Sequence, residues 1–197
     1  MEGRRGFRYA SPPMRDIILV TGGARSGKSR LAEAWAAATP GPVLYLATCR
    51  VREDDAEMQS RIALHRARRP VDWVTREVAG DLPGAVAAAP AGGTVLVDCL
   101  TLWVSGLLEA GEDPERETAR LAAALNREGR TLLVTNEVGM GVVPPTPLGR
   151  RFRDAAGRVN MAVAAVADRV VLCVAGLPVV VKGSAKGIPF SRKEGSA

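Results

Sequence analysis

The chain has 197 residues, 47% of them hydrophobic and 24% charged, which is typical of a single folded domain and excludes a disordered protein. Its formal net charge of +6 lies mostly in the two ends, because residues 1–15 carry +3 and residues 183–197 carry +2. The body is nearly neutral, so we expect no nucleic-acid partner, because proteins that bind nucleic acid usually carry a basic stripe on the fold. We predict mobile basic tails at 1–14 and 183–197 around one domain at 15–182.

No apolar run is long enough to span a membrane, and residues 1–14 lack the apolar centre of a signal peptide. We therefore expect a cytoplasmic protein with no membrane span. Its three cysteines, Cys49, Cys99 and Cys173, are odd in number and include no close pair such as Cys-x-x-Cys. They are predicted to be reduced thiols.

Residues 22–29, with the sequence GGARSGKS, fit the phosphate-binding loop template of a glycine, four free positions and then Gly-Lys-Ser. The context agrees, because an apolar strand at 17–20 runs into the loop and apolar residues recur at helical spacing after it. Backbone N–H groups of such a loop surround phosphate oxygens, while the lysine adds a mobile charge and the serine hydroxyl contacts Mg²⁺. The nucleotide-binding residues predicted here are Gly22, Gly23, Ala24, Arg25, Ser26, Gly27, Lys28 and Ser29.

Strand and helix patterns alternate along the rest of the chain. Further strands are predicted at 43–47, 72–77, 94–98, 131–135, 170–174 and 179–182. Helices are predicted from the phosphate loop to about residue 39, and at 56–67, 82–89, 100–110, 115–128 and 148–167. The alternation predicts an α/β fold of the P-loop type, with a mostly parallel sheet of about seven strands, an antiparallel edge and helices on both faces.

Three acidic residues lie at or just after the carboxyl ends of these strands, at the sheet edge where open α/β folds bind ligands. Asp98 ends the strand at 94–98 and is predicted to bind Mg²⁺, although an acid at this place also serves as a helix N-cap. Glu137 follows the strand at 131–135 in a glycine-rich loop that allows close approach of a ligand, with a plain flexible loop as the alternative. Glu77 ends the strand at 72–77, where its carboxylate could accept hydrogen bonds from a base or a ribose.

His65 is the only histidine in the chain. It lies between Arg61 and Arg69 at i, i+4, i+8 spacing, so one helix face is predicted to carry the imidazole between two guanidinium groups. Such crowding favours the neutral imidazole, the form that attacks phosphorus, at a place that attracts polyphosphate. A solvated basic helix that happens to contain a histidine is the alternative, and spacing alone favours it.

Seven motifs occur in an order that resembles one known family, and together they cover about residues 16–182. They are GGARSGKS at 22–29, LYLATC at 44–49, MQSRIALHRARRP at 58–70, WVTRE at 73–77, VDCLTLW at 97–103, TNEVGMG at 135–141 and RFRDAAGRVN at 151–160. The family is the bifunctional adenosylcobinamide kinase/adenosylcobinamide-phosphate guanylyltransferase of cobalamin synthesis. Many NTPases share the phosphate loop, whereas the histidine-arginine segment and the TNEVGMG loop are specific.

The resemblance implies two successive reactions on one RecA-like domain, in a homotrimer. ATP or GTP first phosphorylates the aminopropanol arm of adenosylcobinamide. GTP then guanylylates a histidine with loss of pyrophosphate, and the GMP passes to adenosylcobinamide phosphate to give adenosylcobinamide-GDP. Mg²⁺, held by Ser29 and Asp98, is the expected cofactor.

The family's guanylylated histidine falls on His65, the second position of a histidine pair whose first position is Leu64 in this chain. Lys28 is the other expected catalytic residue. The resemblance places further nucleotide contacts on Thr48, Cys49, Arg50, Arg66, Ala67, Arg68, Arg69, Glu77 and Asp98.

Two departures from the family pattern lie close to these contacts. The loop between Arg50 and Met58 is longer than is usual, and Ala67 and Arg68 stand where the family often has Asp and Gly. Contacts made there through backbone N–H groups would survive these changes, whereas contacts made through side chains depend on the residue type. Neither departure touches the expected nucleophile.

Two rival interpretations stay open. A P-loop kinase of another small alcohol would share the phosphate loop but lack the covalent histidine step. A RecA-like nucleotide switch that assembles on nucleic acid would share the fold, although the nearly neutral body argues against it.

Overall fold

The computed structural model describes residues 15–49, 56–67, 69–78 and 80–189. Seven strands form one sheet in this part of the chain, in the order β3-β2-β4-β5-β1-β6-β7. They are β1 Asp16–Gly22, β2 Val43–Ala47, β3 Val74–Glu77, β4 Thr94–Asp98, β5 Arg130–Val134, β6 Arg169–Val174 and β7 Leu177–Lys182. All neighbours pair in parallel except β6 and β7, which form an antiparallel hairpin at one edge. The predicted sheet is confirmed.

Six helices join these strands within the described ranges: α1 Lys28–Ala37, α2 Ala56–Ala67, α3 Leu82–Ala87, α4 Leu100–Glu109, α5 Pro114–Ala124 and α6 Pro147–Val166. On one face of the sheet, Trp35 of α1 packs in a cluster with Ile18 and Val20 of β1. On the opposite face, α3 to α6 enclose a larger cluster that includes Leu82, Trp103, Leu121 and Val159. Helices therefore cover both faces, as predicted.

The central strands β4, β5 and β1 pair in parallel, and their side chains are buried on both faces. At 17–20 and 132–134, no side chain is more than 2% exposed. Continuous apolar runs of this kind are typical of strands that crossover helices cover on both sides. The register places Val134 opposite both Val20 and Asp98, so the carboxyl ends of these strands finish level with one another.

Three helices begin with the same local chemistry: a polar side chain caps a backbone N–H, and a proline occupies the first turn. The caps are Asp81 to Gly84, Asp113 to Glu115 and Thr146 to Gly149. Proline is tolerated there because the first N–H groups of a helix have no partner within the helix. The predicted starts at 115 and 148 are therefore one residue late, and α5 ends at Ala124 rather than at 128.

The ordered body continues beyond residue 182. The side chain of Ile188 is only 6% exposed and packs in the cluster that contains Trp35. The guanidinium of Arg169 also donates to the carbonyl oxygen of Lys186 at 2.9 Å. Residues 1–14 and 190–197 lie outside the described ranges, so mobile tails there stay a prediction. Within the described residues, no helix has the length and apolar character needed to cross a membrane.

A compact ion cluster closes the amino edge of the sheet, opposite the predicted site. Asp16 accepts from Arg130 Nε at 2.7 Å and also from Arg169. Its side chain is 10% exposed, and those of the two arginines are 16% and 14% exposed. The guanidinium of Arg169 lies 4.8 Å above the ring of Trp35, which ties the cluster to the core.

We expect Asp16→Ala to lower the free energy of unfolding by about 3 kcal/mol, because it leaves two largely buried guanidinium groups without their anion. Asp154→Ala is the matched control. Asp154 pairs with Arg153 while 51% exposed, so its loss should cost about 1 kcal/mol or less. Urea unfolding followed by circular dichroism measures both values. Equal values for the two variants would contradict the assignment of a stabilising role to the Asp16 cluster.

Candidate active site

The phosphate-loop segment 22–29 turns sharply between β1 and α1, and two of its glycines are required by geometry. Gly27 has φ +94°, and a Cβ on it would lie 3.2 Å from the Cα of Gly176. A Cβ on Gly22 would lie 2.6 Å from the carbonyl oxygen of Cys173. L residues with side chains rarely adopt such a φ, and the backbone leaves no room for them. The loop is therefore built for close backbone packing, with an exposed tip at 23–25.

The β6–β7 hairpin turn packs against the phosphate loop and is hydrogen-bonded to it. The N–H of Gly176 donates to the carbonyl oxygen of Ser26 at 3.0 Å. Gly176 and Ala175 both have positive φ, at 83° and 51°, as a two-residue hairpin turn requires. The sequence predicts the hairpin but not its contact with the phosphate loop, because the two segments are about 150 residues apart in the sequence.

Lys28 lies at the start of α1 with only 8% of its surface exposed, and its Nζ donates to the carbonyl oxygen of Gly23 at 3.0 Å. Burial lowers the pKa of this lysine, an effect that the nearby Cys99 and Asp98 oppose. The hydroxyl of Ser26 is buried and has no hydrogen-bond partner among the described residues. A held ammonium and an unpartnered hydroxyl at a helix start fit a phosphate group.

Asp98 faces the same loop from the end of β4. Its Oδ1 lies 3.5 Å from Ser29 Oγ, and its Oδ2 accepts from the hydroxyl of Tyr45 at 2.9 Å. Asp98 is not the N-cap of α4, which was the alternative role for this acid, because Cys99 occupies that position. Burial raises the pKa of Tyr45, so its hydroxyl stays a donor.

A serine hydroxyl beside a carboxylate fits Mg²⁺, which takes few protein ligands and completes its shell with water and substrate phosphates. Ser29 and Asp98 are the residues that would hold this ion. Clusters of three or more His, Cys, Asp or Glu side chains able to bind a metal are absent from the described residues.

Thr48 is buried behind this acid rather than open to a ligand. Its hydroxyl donates to the carbonyl oxygen of Cys99 at 2.6 Å and accepts from the N–H of the same residue at 2.8 Å. Thr48 thus fixes the backbone that carries Asp98. Among the described residues the cysteines form no disulfide; Cys99 and Cys173 are buried, and Cys49 is partly exposed just after β2.

A second group of predicted residues lies beyond β2, around an open cleft of about 510 Å³ whose lining includes Arg66, Arg69 and Glu77. Arg66 forms an ion pair with Glu77, and both side chains are about half exposed. Arg69 stacks on the ring of Tyr45, with its guanidinium carbon 3.5 Å from the ring centroid. Because Tyr45 also binds Asp98, one buried ring connects the cleft with the phosphate loop.

The predicted helix face that combines Arg61, His65 and Arg69 is wrong in one respect. Helix α2 ends at Ala67, and Arg69 lies after it. The proline at residue 70 disfavours a helical conformation for the residue before it, which explains the early end. Arg50, Arg68 and the side chain of His65 lie outside the described residues, so their predicted roles stay predictions.

Glu137 lies at the start of the phosphate loop, although it comes from the segment after β5. Its N–H donates to the carbonyl oxygen of Gly22 at 3.1 Å, and its Oε1 accepts from the hydroxyl of Thr21 at 2.5 Å. The amide of Asn160, in α6, lies 3.4 Å from the same oxygen. Sequence reasoning did not identify Asn160 as part of the site. The carboxyl edge of the sheet therefore brings together the loop, Asp98 and Glu137, as predicted.

A model of the family described as "Cobinamide kinase / cobinamide phosphate guanyltransferase" matches residues 18–181. The chain belongs to this family. A Pseudomonas aeruginosa protein named bifunctional adenosylcobalamin biosynthesis protein CobP is 49% identical, in an alignment that covers 86% of this chain and 98% of that protein. A Salmonella typhimurium protein named bifunctional adenosylcobalamin biosynthesis protein CobU is 46% identical, with coverage of 84% and 99%.

Among solved structures, the flagellar accessory protein FlaH from Methanocaldococcus jannaschii is similar, with a TM-score of 0.51 and 12% identity over 88% of this chain and 80% of that chain. At that identity the likeness shows the fold alone. The predicted α/β fold of the P-loop type, with a mostly parallel seven-stranded sheet and an antiparallel edge, is confirmed, and this member of the cobinamide kinase / cobinamide phosphate guanyltransferase family is an enzyme.

We expect Tyr45→Phe to weaken binding of a magnesium–nucleotide complex by about 10–100-fold, because a hydrogen-bond partner that orients a metal-binding carboxylate typically contributes that much to metal affinity. The ring and its stacking on Arg69 remain in this variant. Titration with a fluorescent GTP analogue, with MgCl₂ and with EDTA, measures the effect. The loss should appear only with Mg²⁺.

Ser105→Ala is the control, because it removes a hydroxyl-to-carboxylate hydrogen bond, to Glu109 at 3.1 Å, outside the site. Its nucleotide affinity should match that of the wild type. An equal loss for Tyr45→Phe with and without Mg²⁺ would show that Tyr45 does not act through Asp98 and a bound ion.

Proposed function

We propose that this enzyme phosphorylates adenosylcobinamide with ATP or GTP, and then transfers GMP from GTP to adenosylcobinamide phosphate through a covalent histidine–GMP intermediate. The products are adenosylcobinamide-GDP and pyrophosphate. The observation that carries the proposal is the family match over residues 18–181 on a chain whose Lys28, Ser29 and Asp98 converge at one phosphate loop.

In the kinase step, the chain's main task is to hold the triphosphate and neutralise charge. Lys28, already held at the loop, lies where it offers a positive charge to the transferring phosphoryl group. Ser29 and Asp98 would hold Mg²⁺, which supplies further neutralisation of phosphate charge when bound. Phosphoryl transfer needs mainly positioning and electrostatic stabilisation, so this step requires no covalent residue.

In the guanylyl step, the neutral imidazole of His65 attacks the α-phosphorus of GTP, and a P–N bond forms as the bond to pyrophosphate breaks. The phosphate of adenosylcobinamide phosphate then attacks the same phosphorus, and the histidine leaves. This two-stage route splits one difficult transfer into two easier ones. Arg66 and Arg69, next to His65 in the chain, support the proposal because their guanidinium groups line the cleft beyond β2.

The remaining assignments follow from the same resemblance. We propose a cytoplasmic homotrimer whose partners are the nucleotides and the corrinoid acceptor, with no nucleic acid. We also propose that Thr48, Cys49, Arg50, Ala67 and Arg68 contribute to nucleotide binding, Thr48 by holding the backbone next to Asp98. Size-exclusion chromatography with light scattering tests the trimer.

His65→Ala should abolish covalent labelling of the protein by GTP that carries ³²P at the α-phosphate, because no other imidazole exists in the chain. The label on the wild type should be labile in acid, as expected for a phosphoramidate. Kinase activity should be retained, since His65 has no role in that step. Gel autoradiography after incubation with labelled GTP measures the first result.

Ala63→Ser, at an exposed position of the same helix, is the control and should label like the wild type. Labelling that persists in His65→Ala would refute the assignment of the nucleophile. A wild type that phosphorylates the corrinoid but takes up no label would instead support the rival kinase without a covalent step.

Lys28→Ala should slow both steps by about 10²–10³-fold, because a single preorganised group that stabilises developing charge is worth that much in related chemistry. Separate assays of corrinoid phosphorylation and of self-guanylylation provide the measurement. Lys186→Ala removes an exposed ammonium far from the loop in sequence and should leave both rates unchanged. A variant that loses only the kinase step would show that the guanylyl step uses another phosphate site.

A further inference from the structure

Three carboxylates lie at the carboxyl edge of the sheet, and they differ in how their oxygens are used. Glu77 is paired with the guanidinium of Arg66. Asp98 has one oxygen directed to Ser29 and the other bound by Tyr45. Both hydrogen bonds that the described residues make to the Glu137 carboxylate end on a single oxygen, Oε1. The second oxygen, Oε2, therefore has the capacity to accept a proton from a bound molecule.

Two neutral donors hold one oxygen of the Glu137 carboxylate. The hydroxyl of Thr21 donates to Oε1 at 2.5 Å, and the amide of Asn160 approaches it at 3.4 Å. The backbone N–H of Glu137 donates to the carbonyl oxygen of Gly22 at 3.1 Å, which fixes the residue against the first glycine of the phosphate loop. These contacts fix the position of the carboxylate, which a general base needs in order to lie within hydrogen-bond reach of the proton that it takes.

The orientation of Asn160 is itself determined by buried contacts. Its side-chain oxygen accepts from the hydroxyl of Thr135 at 2.7 Å, and its amide nitrogen donates to the carbonyl oxygen of Asn136 at 3.2 Å. The residue is 9% exposed. With the oxygen engaged by Thr135, the NH₂ group must face Glu137. Such a supporting layer is typical of a side chain whose position matters for chemistry.

A contact between Glu137 and the triphosphate itself would be unfavourable, because like charges repel. Glu137 itself is partly exposed. In the segment directly after it, Met140 is 79% exposed, Val142 94% and Val143 57%. An acceptor much larger than a nucleotide can therefore approach Glu137 from the side of this apolar loop.

We propose that Glu137 is the general base of the kinase step. The oxygen of the acceptor hydroxyl attacks the γ-phosphorus, and a new P–O bond forms as the bond from that phosphorus to the β–γ bridging oxygen breaks. The nucleoside diphosphate leaves with the electron pair, and the hydroxyl proton passes to Oε2 of Glu137. The guanylyl step does not use Glu137, because neither the imidazole of His65 nor an ionised phosphate acceptor has to lose a proton to attack.

This inference rests on the proposed function, and Glu137→Gln separates the two. The amide keeps the shape of the side chain and an oxygen that accepts from Thr21, but it cannot take a proton. Single-turnover phosphorylation of adenosylcobinamide should fall by about 10²–10⁴-fold, the usual contribution of general base catalysis. Affinity for a fluorescent ATP analogue should stay within about threefold, and self-guanylylation by labelled GTP should keep its wild-type rate.

Glu128→Gln is the matched control, since Glu128 is exposed and precedes the amino end of the same strand, β5. All three measurements should be unchanged in it. Should Glu137→Gln fail to fold, Glu137→Asp replaces it. That variant keeps the charge but withdraws it by one methylene, and its kinase rate should fall about tenfold with self-guanylylation intact.

A kinase rate within threefold of the wild type in the variant would overturn the base assignment. Equal loss of phosphorylation, self-guanylylation and nucleotide affinity would also overturn it, because that pattern belongs to a nucleotide-binding residue. A wild type that binds nucleotide and labels His65 but does not phosphorylate the corrinoid overturns the proposed kinase function, and the base assignment with it.

Discussion

The parallel register of β4, β5 and β1 is the constraint on which the whole site depends. Because Val134 of β5 lies opposite both Val20 and Asp98, the three strands end at one level. The phosphate loop, the acid on β4 and the segment after β5 must then meet at that edge, although long stretches of sequence separate them. The register is fixed by side chains buried on both faces of each strand, since a shift of one residue would exchange the two faces. Core packing is thus what aligns the chemistry.

Two contacts join parts of the edge that the strands alone would leave independent. The N–H of Gly176 in the β6–β7 turn supports the phosphate loop at the carbonyl oxygen of Ser26, so an edge hairpin contributes to the shape of the site. The ring of Tyr45 carries Arg69 on its face and binds Asp98 through its hydroxyl. A guanidinium stacked on a buried ring loses little freedom when it also binds an anion. The cleft beyond β2 and Asp98 therefore share one rigid support.

Local patterns predicted most of this fold because they act over short distances. The apolar runs at 17–20 and 131–135 identify central strands, and GGARSGKS identifies the loop between β1 and α1. Helix boundaries were less predictable, since proline is compatible with a first turn but also marks breaks. The partners of Glu137 could not be predicted from the sequence. Asn160 lies in a helix that follows a long loop, and no sequence periodicity indicates the contact between Glu137 and Thr21. Likewise, the helical spacing of Arg69 with His65 gave no warning that α2 ends at Ala67.

Under the proposed reactions, the two acceptors make opposite demands on charge, and the strand order separates the groups that meet them. An alcohol is neutral and must lose a proton, so a carboxylate near it is useful. A phosphate monoester carries about −1.5 to −2 charge near pH 7, so it needs cations and no base. Glu137 follows β5, whereas Arg66 and Arg69 lie beyond β2, with β4 between these strands. Under this proposal one phosphate loop, after β1, can serve a neutral acceptor at the γ-phosphorus beside Glu137 and an anionic acceptor at the α-phosphorus on the side of the arginines.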